Sequence, residues 1–159
     1  MNLTHFNASN PGEVTAPLID NDSRITRGRA SAALANRYDR TSGALSLFYN
    51  WGRHKIDDGY AAGSEPLDYR FNSRDRMLGV SWYQSAQLFA GNRLTVGFDY
   101  FHFGGESWNR FLDGHEEPQV DKTQDEVAGY VDFRQSLGTW LTLDAGLRVD
   151  RHSHVGTEW

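Results

Sequence analysis

The chain has 159 residues, 16 Lys or Arg against 21 Asp or Glu, a formal net charge of −5, and no cysteine. The missing cysteines exclude disulfides, thiolate metal sites, iron–sulfur clusters and cysteine nucleophiles. The acidic balance argues against nucleic acid as a partner, because phosphate binding needs a basic face.

Sixteen glycines, 13% aromatic residues and only four prolines point to β-structure. No apolar run approaches the roughly 18 residues of a membrane-spanning helix. At the N-terminus, Asn2-Leu3-Thr4-His5-Phe6-Asn7 has neither a basic start nor an apolar h-region, so it does not read as a signal peptide. Residues 1–22 read as a loop.

From there the hydrophobic pattern has period two, the mark of strands with unlike faces. Strands are expected near 24–38, 43–56, 68–84, 92–104, 122–135 and 139–152. In the first, Ala30, Ala32 and Leu34 oppose Arg27, Arg29, Ser31 and Arg37. In the second, Leu45, Leu47, Tyr49 and Trp51 share one face. Leu78, Val80 and Trp82 mark the third, and Leu94, Val96, Phe98 and Tyr100 the fourth. In the fifth, Val127, Val131 and Phe133 oppose Glu126, Tyr130, Asp132 and Arg134. The sixth is the clearest: Leu141, Leu143, Ala145, Leu147 and Val149 on one face, Thr142, Asp144, Gly146, Arg148 and Asp150 on the other.

The connections alternate. The stretches 38–43 and 133–140 are tight and 84–93 is intermediate, whereas 57–67 and 104–121 read as long loops. A meander puts every second connection at the same end, so one end carries short turns and the other long loops. The fold class is therefore all-β, an antiparallel up-and-down meander of about six long strands. Segments of about 13–17 residues exceed the usual 5–6 of globular strands and suffice for a tilted membrane crossing. Aromatics gather toward segment ends, at Trp51, Trp82, Tyr100, Phe133 and Trp140, as in an interfacial belt. These features favour a partial transmembrane β-barrel. A soluble or surface β-sandwich that binds carbohydrate through its Trp and Tyr residues is the alternative, and a passive porin-type barrel a third. Six strands cannot close a membrane barrel, for which about 8 is the minimum, so residues 1–159 are expected to be an internal part of one larger barrel domain.

Several short stretches resemble the barrel of TonB-dependent outer-membrane receptors: Asn10-Pro11-Gly12, Ile25-Thr26-Arg27-Gly28-Arg29, Gly43 to Gly52, Asp125-Glu126-Val127-Ala128-Gly129-Tyr130 and Leu143 to His152. The last two are the more telling. An acidic patch with an aromatic opens one strand, and after a short turn the next ends Gly-x-Arg-x-Asp. The resemblance implies a barrel of about 22 strands filled by a plug domain in the full-length protein. It implies energisation by the TonB complex and import of a scarce nutrient such as a ferric siderophore, haem or cobalamin across the outer membrane of a Gram-negative bacterium. In this reading Leu45, Leu47, Leu94, Val96, Phe98, Leu141, Leu143 and Leu147 face lipid. Arg27, Arg29, Asp99, Glu126, Asp132, Arg134, Asp144 and Arg148 face the lumen. The loops are extracellular, and Tyr60, Trp108 and Arg110 are the preferred ligand contacts, since aromatic and Arg groups dominate binding hot spots.

No enzyme is expected. The chain has no Gly-x-Ser-x-Gly elbow and no phosphate-binding glycine loop. Asp113, His115, Glu116 and Glu117 read as a solvated cluster. His152 and His154, two apart beside Asp150, are a weak metal signal without a third fixed ligand. No metal or cofactor is expected.

Overall fold

The computed structural model describes residues 1–10, 12–154 and 156–158. Among them are eleven strands and no helix. They are β1 (Asn2–Ala8), β2 (Gly12–Glu13), β3 (Ala16–Ile19), β4 (Asp22–Arg37), β5 (Thr41–Asp57), β6 (Tyr60–Ala61), β7 (Tyr69–Ala86), β8 (Asn92–Phe111), β9 (Glu116–Leu137), β10 (Leu141–His152) and β11 (Gly156–Glu158). The main sheet has the order β1-β4-β5-β7-β8-β9-β10-β11, an antiparallel meander with β1 and β11 as its unjoined edges. A small sheet of β2, β3 and β6 stands apart from it in hydrogen bonding.

The six expected long strands are all present, at 12 to 22 residues. Three connecting regions depart from the sequence reading. The stretch 104–121 is not a loop: β8 runs on to Phe111 and β9 starts at Glu116, leaving a four-residue tip. Gly104-Gly105 looks like a breaker, but Gly104 lies under the Arg76 side chain, and a Cβ there would come within 2.8 Å of its Nε. A strand glycine can mark such a close approach rather than a turn. The stretch 1–22 is not a loop either. β1 pairs with β4 over seven residues, from Asn2↔Arg29 to Ala8↔Ser23, and β2 and β3 form a short hairpin. Within 57–67, β6 pairs with β3.

The turns obey local chemistry. Tyr38 N–H donates to the Thr41 carbonyl at 2.8 Å, closing β4 onto β5. Gly138, with φ +68°, turns β9 into β10, the left-handed conformation that glycine adopts without steric cost. Asn92, only 4% exposed, accepts from Leu88 N–H through Oδ1 and donates to the Arg134 carbonyl through Nδ2. It thus ties the β7–β8 turn to β9.

The β9–β10 register places two unlike stripes. Asp144 opposes Arg134, Arg148 opposes Tyr130 and His152 opposes Glu126 on one face. Leu143 opposes Gln135, Ala145 opposes Phe133 and Leu147 opposes Val131 on the other. Within the apolar stripe, Leu45, Leu94 and Leu141 are half-buried, while Leu47, Val96, Phe98, Leu143 and Leu147 are exposed. Ala128 is the sole buried hydrophobic residue described, and no large side chain is fully buried among the described residues. Burial falls instead on glycines, Asn72, Ser85 and Asn92.

By compactness the chain divides into two units. One comprises residues 1–30, 50–77 and 103–123, the other 31–49, 78–102 and 124–159.

Candidate functional site

In the second unit, Arg148 is the centre of the charged face. Its Nη1 donates to Asp99 Oδ2 at 2.9 Å and its Nη2 lies 2.9 Å from Asp150 Oδ1. Its guanidinium carbon lies 5.7 Å from the centre of the Tyr130 ring, within the range of a cation–π contact. The Tyr130 ring in turn lies on Gly97, where a Cβ would overlap it. Glycine on one strand thus admits an aromatic from the next, and the aromatic supports an arginine that ties β8 to β10. Arg134 and Asp144 form a second cross-strand pair, Nε to Oδ1 at 2.6 Å. Asp132 stands opposite Gly146, and Glu126 opposite His152, on the same face.

In the first unit, Arg27 Nη2 donates to His54 Nε2 at 3.2 Å, and His54 lies 3.8 Å from Asp75 Oδ1. Asp75 packs against Gly52. Arg29 follows Arg27 by two residues and opposes Asn2 in the β1–β4 register. The structure therefore groups Asp99 with Arg148 and Arg134 with Asp144, and draws Arg27 to His54.

Four members of these networks, His54, Asp75, Tyr130 and Asp150, were not among the site residues expected from the sequence. Their signal was parity. His54 alternates with Phe48, Asn50 and Gly52, opposite the stripe of Leu45, Leu47, Tyr49 and Trp51.

The expected ligand contacts are placed differently. Tyr60 lies in β6, paired with β3 beside Leu18↔Ala61. It borders a cleft of about 420 Å³ with Asn10, Asn21, Asp57 and Glu65. Trp108 and Arg110 are strand residues of β8, not loop residues. Trp108 holds Arg74 at 5.0 Å from its ring, and Arg74 Nη1 donates to Glu106 at 3.2 Å. The Trp108 indole N–H is buried with no hydrogen-bond partner among the described residues.

Alternate positions of β8 read Leu94, Val96, Phe98, Tyr100, His102, Gly104, Glu106, Trp108, Arg110. Trp108 and Arg110 thus belong to the parity of the apolar stripe, opposite to that of Asp99. On β7 the same change occurs in reverse, from Arg70, Asn72, Arg74 and Arg76 to Leu78, Val80 and Trp82. At the changeover on β8, the Tyr100 hydroxyl donates to Asp125 Oδ1 at 2.7 Å, and His102 Nδ1 meets the same oxygen at 2.8 Å.

At the β8–β9 tip, Asp113 Oδ1 accepts from His115 N–H at 3.0 Å and lies 2.6 Å from His115 Nδ1. These bonds hold the Asp113 carboxyl below the usual carboxylate range, the backbone bond contributing most. The His152 and His154 rings lie 6.4 Å apart, and Asp150 is engaged by Arg148. Among the described residues no three His, Cys, Asp or Glu side chains form a metal-holding group.

Comparison with protein-family models, with curated proteins and with solved structures gives no match.

Proposed function

We propose that this chain is part of the β-barrel of an outer-membrane active-transport receptor of the TonB-dependent type, importing a scarce nutrient such as a ferric siderophore, haem or cobalamin. The carrying observation is the division of the long antiparallel strands into an exposed apolar stripe and a face of cross-strand ion pairs, with no large side chain fully buried among the described residues. A sandwich would press the apolar stripe against a second sheet and exclude water from it. A membrane barrel leaves it open for hydrocarbon and gathers charge on the enclosed side. The receptor, rather than porin, reading rests on the resemblance of 125–130 and 143–152. These two stretches are neighbouring strands in register.

The lack of cysteine makes an introduced cysteine unique within these 159 residues. Nitroxide labels at 143, 145 and 147, against 142, 144 and 146, should alternate in lipid vesicles. The odd set should collide with oxygen, the even set with a water-soluble nickel chelate. Equal access of the nickel reagent to both sets, or an odd set shielded from both reagents, rules out the membrane face. Deleting the coding region in the host should abolish energised uptake of one such nutrient. Undiminished growth on ferric chelates, haem and cobalamin removes the import role.

A further inference from the structure

On the unit of residues 1–30, 50–77 and 103–123, a cleft of about 290 Å³ is bordered by Arg24, Lys55, Arg70 and Arg110 together with Asp22 and Asp57. Four cations meet two carboxylates, in a chain whose net charge is −5. Both carboxylates already have a partner. Asp22 pairs with Arg24 at 2.7 Å and Asp57 pairs with Arg70. Lys55 makes no ion pair among the described residues. Arg110 reaches Glu116 only at 3.9 Å, with both side chains more than half exposed, a geometry of little worth in water. The cleft therefore keeps two positive charges to offer an anion.

The positions of these residues identify the anion. Lys55 continues the alternate series Leu45, Leu47, Tyr49, Trp51, Arg53 of β5. Arg70 precedes Leu78, Val80 and Trp82 in the series on β7, and Arg110 ends that of Leu94, Val96 and Phe98 on β8. On β5 that parity turns cationic directly beyond Trp51, at Arg53 and Lys55; on β7 Arg70, Arg74 and Arg76 precede Leu78, and on β8 Arg110 follows Glu106 and Trp108. Lys55, four residues past Trp51, and the arginines beside it lie beyond the end of a hydrocarbon-facing stripe, on the side where lipid headgroups begin, and a basic residue near a charged membrane surface attracts anionic headgroups by about 1 kcal/mol. We infer that this cleft binds the phosphate of an anionic lipid headgroup. The inference rests on the membrane-face reading above.

The test uses the full-length protein that carries these residues, in phosphatidylcholine nanodiscs containing one-fifth phosphatidic acid, with lipid retention read by native mass spectrometry. The wild-type chain should retain phosphatidic acid over phosphatidylcholine. K55Q/R110Q should bind it about 30-fold more weakly, as loss of two such cations implies. K55Q alone, a change at an exposed strand end, serves should the double variant fail to fold, and should lose about fivefold. Equal retention of the two lipids, or retention unchanged in these variants, overturns the inference. Full displacement by millimolar inorganic phosphate also overturns it, since the site would then serve free phosphate rather than a headgroup. The nitroxide pattern at 142–147 is recorded in the same nanodiscs. An alternating pattern with no lipid selectivity refutes the cleft alone, whereas loss of the alternation refutes the membrane face and the inference with it.

Discussion

Gly97→Ala isolates the packing device that supports the charged face. The added methyl would overlap the Tyr130 ring, so either the ring must leave its place or β8 and β9 must separate. Moving the ring also removes the surface over which Arg148 lies and disturbs its bonds to Asp99 and Asp150. Overpacking of this kind costs about 1–3 kcal/mol. Gly129→Ala provides the control, because nothing lies within 4 Å of a Cβ built there. With its φ outside the left-handed region, that change should be neutral or stabilise by about 0.4–1 kcal/mol through the unfolded chain. The assay is urea unfolding of the full-length protein in detergent micelles, followed by fluorescence. A third variant, Gly97→Ala with Tyr130→Ala, should recover part of the loss, since the clash then has no partner. Equal midpoints for Gly97→Ala and Gly129→Ala would refute the packing argument.

Leu147→Arg tests the apolar stripe. In lipid vesicles it should destabilise by about 2–4 kcal/mol, the cost of a cation near the hydrocarbon midplane, and a change within about 0.5 kcal/mol would mean that water reaches the site. Arg148→Met leaves Asp99, 15% exposed, without its partner, and should cost about 1–3 kcal/mol. Adding Asp99→Asn should restore part of this, and strictly additive losses in the double-variant cycle would show the pair to be uncoupled. The Asp113 carboxyl should titrate below its ordinary value in a carbon-detected NMR titration. Its folded value is depressed, so the contribution of the tip is present above about pH 4, the unfolded value, and is lost as pH falls through the folded one. A midpoint at the ordinary value would refute the His115 bonds.

The strands were legible where alternation is strict. Leu141 to Val149 declares its two faces without help from the fold, and β10 lies where the pattern puts it. Breakers misled where a tertiary contact explains them. Gly104 looks like the end of β8, but it makes room for Arg76. Asp113-Gly114 and Pro118 suggest a long loop, but the turn closes within residues 112–115 and β9 resumes before the proline. β1 was invisible because seven residues with Leu3 and Phe6 as their large apolar members carry no stripe. It becomes a strand through its register with β4, a long-range fact that no local window contains. Alternation marks the charged positions one by one. Its pairing was not legible, because the 49-residue step from Asp99 to Arg148 depends on strand order. Trp108 and Arg110 were assigned to a loop for the same reason that the end of β8 was missed.

The burial of glycines and small polar groups, rather than of large side chains, also shapes the thermal behaviour. Little oily area passes from shelter into water when such a ribbon unravels within an amphiphile, so the heat-capacity increment should fall well below the roughly 12–15 cal/mol/K per residue of globular domains. The free-energy curve then becomes nearly straight with temperature, and cold unfolding recedes out of reach. In the proposed barrel, cohesion would be set largely by the surrounding amphiphile, so lengthening a detergent tail by a few carbons should move the melting point as far as many single substitutions do.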